Sequence, residues 1–372
     1  MLDDVRIVDL TRLLPGPYAT QLLADLGADV VKGESPDGDF SRYSEPFLDG
    51  VGGIFSMVNR GKRSVELDLK DEDALDAFYA LVEDADAVVE GYRPGVADRL
   101  GVGYDDVREV NDGIVYCSLS GYGQEGELSD KAGHDLNYAA YAGFLDMTRA
   151  DGEPAMPGYP IGDMSGGMTA ALSIVSALLG REHGAGGEYI DASMAESVLS
   201  FSQAVVPYAL DGDDDSGETA FSGGYACYDI YETADGEHAT LAALEPKFWH
   251  EFCEVVGRED LVGDHPGDEE TYEEVAEVFA SKDLEEWNET FGGTDVPYQG
   301  IRSLGEALED EDVQERMLRG GNDMSPRVGF PATTDSGVER ETDESVPGHG
   351  EHTREILSEA GLSEAEIDGV VE

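Results

Sequence analysis

The sequence predicts an α/β protein: a large domain built on a doubly wound, Rossmann-like parallel sheet, joined to a smaller α+β domain. Three observations carry this. Short apolar strand-like runs alternate with helical patterns through the first half of the chain, the arrangement that builds parallel sheets. Beyond residue 219 the pattern changes to a hairpin followed by helices. A chain of 372 residues buries more than one core, so two domains are expected. Residues 1–210 read as the large domain and 219–317 as the small one.

In order, residues 5–10 read as a buried strand, 18–26 as a helix closed by Gly27, and 29–32 as a second strand. The intervening loop, Leu14-Pro15-Gly16-Pro17, is stiff, and no GxGxxG follows the first strand, so a dinucleotide is not indicated. Residues 64–69 form the next strand, Asp71 caps a helix over 72–82, and 87–90 and 114–118 return as strands. A helix over 165–179, a loop at 184–187, a short strand at 189–191 and a long helix over 194–210 complete the first part. Residues 211–218 are an acidic linker. A hairpin over 225–231 and 238–244 turns at Asp235-Gly236 and opens the small domain, and helices follow at 246–256, 271–280 and 284–291. Residues 340–350 read as loop and 363–369 as a capped helix. Ligands of such a sheet are expected at the carboxyl ends of its strands.

Charge narrows the partners. Asp and Glu number 82 against 23 Lys and Arg, a formal charge of −59, and acidic residues run along the whole chain. The 40% hydrophobic content and ordered patterning exclude a disordered polyelectrolyte. The reading is a solvated acidic coat adapted to high salt, and only six of the basic residues are lysine. Self-repulsion is severe in dilute buffer, whereas at about 1 M salt the Debye length falls to about 3 Å. The expected result is a melting temperature that drops steeply between molar salt and about 50 mM; an unchanged value would contradict this reading. Nucleic acid and anionic membrane are disfavoured, since both require basic patches. Cys117, Cys227 and Cys253 have no CxxC spacing and are too few for a disulfide framework, which fits a reducing cytoplasm. No basic-then-apolar leader opens the sequence and no apolar run approaches the length of a membrane span.

The strongest chemical signal is Gly133-His134-Asp135-Leu136-Asn137-Tyr138, joined in the next segment by Asp163 in Gly162-Asp163-Met164-Ser165-Gly166-Gly167. An imidazole and a carboxylate beside a helix start make an acid/base pair. Asp163 is expected at or near the N-cap, among unpaired N–H groups able to hold an oxyanion. The run His349-Gly350-Glu351-His352 offers metal-ligand types, but Gly350 interrupts it and no metal is expected.

Around this pair stand ordered motifs: Thr11-Arg12-Leu13-Leu14-Pro15-Gly16-Pro17, Gly38-Asp39-Phe40-Ser41-Arg42, Asn59-Arg60-Gly61-Lys62-Arg63, Arg93-Pro94-Gly95-Val96 and Ala243-Leu244-Glu245-Pro246. Through them the chain resembles the family III CoA-transferases, the group of carnitine dehydratase and α-methylacyl-CoA racemase, over roughly residues 5–330. The resemblance implies that residues 318–372 rejoin the large domain and that two chains interlock as a ring-like homodimer. It implies an acyl-CoA substrate and no tightly bound cofactor. In the racemase branch, His134, Asp163 and Glu245 would act together, with Glu245 orienting the imidazole. An acid and a base would then move the α-hydrogen of a 2-methylacyl-CoA through an enolate. The short Gly223-Gly224 run favours that branch. Tyr159 stands where racemases carry asparagine, which keeps open the alternative: a transferase of the mesaconate/succinate type working through an aspartyl-CoA thioester at Asp163. The same motifs assign Arg42, Lys62, Arg63 and Arg93 to the phosphates of CoA.

Overall fold

The computed structural model describes residues 1–150, 152–211, 219–263, 268–321, 324–332 and 344–371. Most of the expected linker at 211–218, and the first part of the expected loop at 340–350, lie outside them. The chain forms two compact units: Met1–Gly143 with Gly158–Ser200 and Asp312–Glu372, and Phe144–Pro157 with Phe201–Glu311. The second unit thus takes in 144–157 and 201–210, which patterning places in the large domain, and ends at Glu311, whereas patterning carries it to 317.

The first unit holds a six-stranded parallel sheet. Its strands are β1 (Arg6–Asp9), β2 (Asp29–Glu34), β3 (Arg63–Glu66), β4 (Ala87–Glu90), β5 (Val115–Ser120) and β6 (Glu188–Ser193), in the spatial order β6-β5-β4-β1-β2-β3. Ile7 and Val8 in β1 and Val88 and Val89 in β4 are wholly buried, the two-sided burial a parallel sheet demands. On one face Val8, Val65, Val88 and Tyr116 pack with Phe78 and Leu81 of helix α2 (Glu72–Glu83). On the other, Ile7, Val89 and Cys117 meet Leu23 of α1 (Pro15–Asp25) and Ile174 of a later helix. The C-terminal segment returns to this unit, where Ile356 and Leu357 join the first face.

Helix α1 begins at Pro15, three residues before its expected start, because proline at the first helical position gives up an N–H that has no partner there anyway. Only glycine at position 16 allows that turn so near the strand: a Cβ there would lie 2.2 Å from Thr11 Cβ.

The short helix α3 (Asp135–Tyr141) carries the His134 motif, and α4 (Ile161–Glu182) starts four residues earlier than patterning indicated. Contrary to expectation, α4 is long and apolar enough by length and composition to span a bilayer. Its glycines, alanines and serines are the reason, since they dilute charge without forming a recognisable apolar run; Ala170, Ile174 and Leu178 lie in the core. The expected long helix over 194–210 is broken: α5 (Met194–Ser200) gives way to a 3-10 turn and a further short helix around Pro207.

In the second unit β7 (Tyr228–Glu232), β8 (His238–Ala242) and β9 (Tyr298–Gly300) form an antiparallel sheet. Helices α6 (Pro246–Val256), α7 (Glu269–Phe279) and α8 (Leu284–Phe291) enclose an aromatic core, in which Tyr231 stacks on Phe279 at 4.9 Å and Phe291 on Tyr298 at 4.5 Å.

Candidate active site

The strands that follow β1 and β4 run outward in opposite directions, so the switch point of the sheet lies between those two. By that topology the ligand crevice is expected at their carboxyl ends, at residues 10–12 and 91–93. Thr11 Cβ lies 3.8 Å from where a Cβ on Gly91 would stand, so the two strand ends lie side by side there.

Buried ions fix the turn after β1. The Asp9 carboxylate accepts from the Thr11 N–H at 2.9 Å and from the Thr20 hydroxyl at 2.6 Å. Lys62 Nζ sits 3.3 Å from Asp9 and donates to Pro17 O at 2.9 Å, Thr20 Oγ1 at 2.7 Å and Asn59 Oδ1 at 3.0 Å. Burial pulls the Lys62 ammonium down to about 8, whereas Lys62 and Lys32 outweigh desolvation at Asp9 and hold its carboxyl below the usual range. Lys32 pairs with Asp39 at 3.1 Å and donates to Thr11 O at 2.9 Å. Asp39 in turn takes the Leu13 N–H at 3.2 Å, and Leu13 adopts a left-handed φ of 68°. Behind it Glu34 receives Arg42 through two bonds of 2.8 and 2.6 Å, with the guanidinium 3.7 Å over the Phe55 ring.

These contacts engage three of the four cations that the motifs assign to the phosphates. Lys62 and Arg42 are buried and their donors are engaged by protein oxygens, so neither presents itself to a phosphate. Arg63 forks onto Asp29 at 3.0 and 2.7 Å and reaches Glu359 at 2.9 Å. A cleft of about 530 Å³ near Lys62 and Arg63 sits at the amino end of β2, away from the crevice. Of the four, Arg93 alone is exposed and has no ion-pair partner among the described residues. Patterning missed Arg12 on the neighbouring strand end, equally exposed and without an ion-pair partner among the described residues. The signal was available: it sits directly after the first strand, where the crevice opens.

The His134 motif and Asp163 do meet. Asp135 Oδ1 accepts from the Gly162 N–H at 2.6 Å and the Asp163 N–H at 3.2 Å, tying the start of α3 to the start of α4. His134 is exposed at the N-cap of α3, its own N–H held by Asn137 Oδ1 at 3.0 Å. Tyr138 is buried beneath, its hydroxyl donating to Gly133 O at 2.7 Å. Asp163 is the third helical residue of α4, not its cap, and half-buried. Among the described residues nothing donates to its side chain. Burial, then the like charge of Asp135, pushes its carboxyl up to about 7.

One expectation fails here. The first-turn N–H groups of α4 are not open to an oxyanion: Asp135 takes two, Tyr159 O takes that of Ile161 at 2.9 Å, and Pro160 O that of Met164 at 3.0 Å. The N–H groups of Asp135 and Leu136, the first two of α3, have no protein acceptor among the described residues. Glu245 caps α6 in the second unit, exposed, with the Trp249 N–H on its carbonyl at 3.1 Å. In the His349–His352 run, His352 Nδ1 accepts from the Ser64 N–H at 3.2 Å.

Asp135→Asn keeps the bonds to α4 and removes the like charge. The Asp163 carboxyl then falls below 7, and the acid limb of kcat/KM against pH moves down by about half to one pH unit. A limb that stays in place would show that another group controls it.

The profile of CoA-transferase family III matches residues 2–353. The chain is 34% identical to succinyl-CoA:mesaconate CoA-transferase of Haloarcula hispanica, covering 97% of this chain and 96% of that one. It is 33% identical to human α-methylacyl-CoA racemase, covering 98% and 95%. A solved CAIB/BAIF family protein from Brucella suis superposes with a TM-score of 0.84 at 25% identity, covering 96% and 99%. The parallel sheet, the meeting of the two helix starts and full-length similarity agree, and the chain belongs to CoA-transferase family III.

Proposed function

We propose that this enzyme transfers CoA between carboxylic acids with Asp163 as nucleophile. One observation carries the reading: a half-buried carboxyl, near neutrality in its titration, that receives no hydrogen bond and no ion pair from any described residue. A carboxylate held out of water without a counter-ion is activated for attack. Asp163 attacks the thioester carbonyl, the C–S bond breaks, and CoA leaves as thiolate while the acyl group stays on Asp163 as a mixed anhydride. The thiolate then attacks the aspartyl carbonyl and releases the first acid, leaving an aspartyl-CoA thioester. The acceptor acid repeats the two steps in reverse order and frees Asp163. His134 and the open N–H groups of Asp135 and Leu136 are the nearby donors for carbonyl oxygens that gain charge.

The similarity to the Haloarcula enzyme supports this reading. The racemase reading also has support, because a carboxyl titrating near 7 beside an imidazole suits proton transfer in both directions. In either case Arg93 is the proposed CoA-side or acyl-side cation, Glu245 a proposed orienting group for His134, the assembly an interlocked homodimer, and the compartment a salt-rich cytoplasm. The two reactions separate in one assay at high salt. Transfer moves label from a free acid into its CoA thioester and leaves the α-hydrogen in place. Racemisation exchanges the α-hydrogen with solvent deuterium and needs no free acid; exchange without transfer would overturn the proposal.

A further inference from the structure

We propose that Tyr138 is a positioning residue of the reaction: it holds the segment that carries His134 and the segment that carries Asp163 in one fixed arrangement, without itself touching the substrate. This rests on the reading that those two side chains carry the chemistry, and it applies to CoA transfer and to proton transfer alike.

The hold on His134 is a clamped peptide. The Tyr138 hydroxyl donates to Gly133 O at 2.7 Å, the carbonyl of the peptide that joins Gly133 to His134. The N–H of that same peptide, on His134, donates to Asn137 Oδ1 at 3.0 Å. Two adjacent side chains of α3 thus hold both ends of one peptide plane, which cannot turn without breaking both bonds. His134 O is engaged as well, by the Asn137 N–H at 2.7 Å. Because His134 is exposed, its surroundings do little to aim the imidazole, and the fixed backbone sets where it starts.

The ring of Tyr138 lies in a berth made by absent side chains. A Cβ on Gly121 would stand 2.6 Å from the ring and one on Gly133 2.7 Å, closer than packed atoms allow. Tyr122 closes the berth edge-on, with centroids 5.1 Å apart. On its other side Tyr138 meets the start of α4: its Cβ is 3.3 Å from where a Cβ on Gly162 would lie, next to the Asp135 carboxylate that takes the Gly162 and Asp163 N–H groups. One buried side chain therefore abuts both segments, with its hydroxyl at the peptide before His134 and its Cβ at the residue before Asp163. A hydroxyl whose proton is given to a backbone carbonyl is not offered to a substrate, so its contribution is geometric, and small displacements of reacting groups are costly.

The test uses the full chain at high salt and the variants Tyr138→Phe, Asn137→Ala and the two combined. Tyr79→Phe is the control: the Tyr79 hydroxyl likewise donates to a glycine carbonyl, Gly101 O at 2.6 Å, but Tyr79 packs with the core on the opposite face of the sheet. Turnover is read both as transfer of label from succinate into succinyl-CoA and as α-deuterium exchange of a 2-methylacyl-CoA. Tyr138→Phe and Asn137→Ala should each lower kcat by about 10- to 100-fold, with KM for the acyl-CoA within about twofold. Tyr79→Phe should change neither. The combined variant should lose about as much as the worse single one, because the two bonds hold one peptide. Asn137 is exposed, so its variant reports on the same peptide even where Tyr138→Phe fails to fold. A raised KM with kcat intact would make Tyr138 a substrate contact and overturn the proposal, as would unchanged kinetics or losses that multiply in the combined variant. Turnover that falls with Tyr138→Phe yet survives Asp163→Asn would uphold the hold on His134 and sink the reading of Asp163 alone.

Discussion

Asp163→Asn is expected to lower turnover by about 1,000-fold or more while leaving the fold and acyl-CoA affinity nearly intact. The amide is isosteric, and no described residue bonds to the carboxylate it replaces, so no contact is lost. Ionisation at position 163 already opposes burial and the charge of Asp135, and the neutral amide removes that cost. A carboxyl raised in the folded state binds its proton more tightly there than in the unfolded chain. The folded state therefore loses stability as pH rises through about 7. The Asn variant should lack that part of the loss while being inactive at every pH. Stability curves and kcat measured across about pH 3–8 check both expectations, since the difference develops between the ordinary carboxylate value and about 7.

Lys62→Met is expected to destabilise the first unit by about 3–5 kcal/mol, because Asp9 would be left buried with Lys32 as its remaining cation and the hydroxyls of Thr11 and Thr20 as partners. This separates a structural cation from a ligand-binding one. A phosphate-binding lysine would lose CoA affinity with stability unchanged, whereas this variant should lose stability, measured by denaturant at high salt, and carry the Arg12 turn with it. Pairing Lys62→Met with Asp9→Leu should recover part of the loss, since replacing both buried charges by apolar groups is much less costly than removing one. Asp9 and Glu34 are held below the usual carboxylate range. Their stabilisation is thus present above that range and lost as pH falls through their lowered values.

The fold was legible where local chemistry is one-sided. The two-sided apolar runs of β1, β4 and β5 and the Asp71-capped helix follow from sequence because nothing tertiary competes with them. Helix starts were less legible. Proline ahead of α1 and the small residues ahead of α4 read as loop, yet both turns are helical because their orphan N–H groups are absent or taken by remote acceptors. The pairing of His134 with Asp163 was readable as motif. The agent that brings them together, the Asp135 carboxylate, was not, since a side chain capping a different helix leaves no local pattern. The buried partners of the cations were hidden for a related reason. A motif cannot say whether a lysine faces a ligand or its own aspartate, and for Lys62 and Arg42 the partners Asp9 and Glu34 lie at the ends of β1 and β2, outside the motifs that hold the cations.

The measurement that bears most directly on the central claim is trapping at Asp163. The enzyme, incubated at high salt with succinyl-CoA and hydroxylamine and then digested, should carry a hydroxamate on the peptide containing Asp163, and Asp163→Asn should carry none. CoA transfer at full rate with that peptide unmodified would contradict the account.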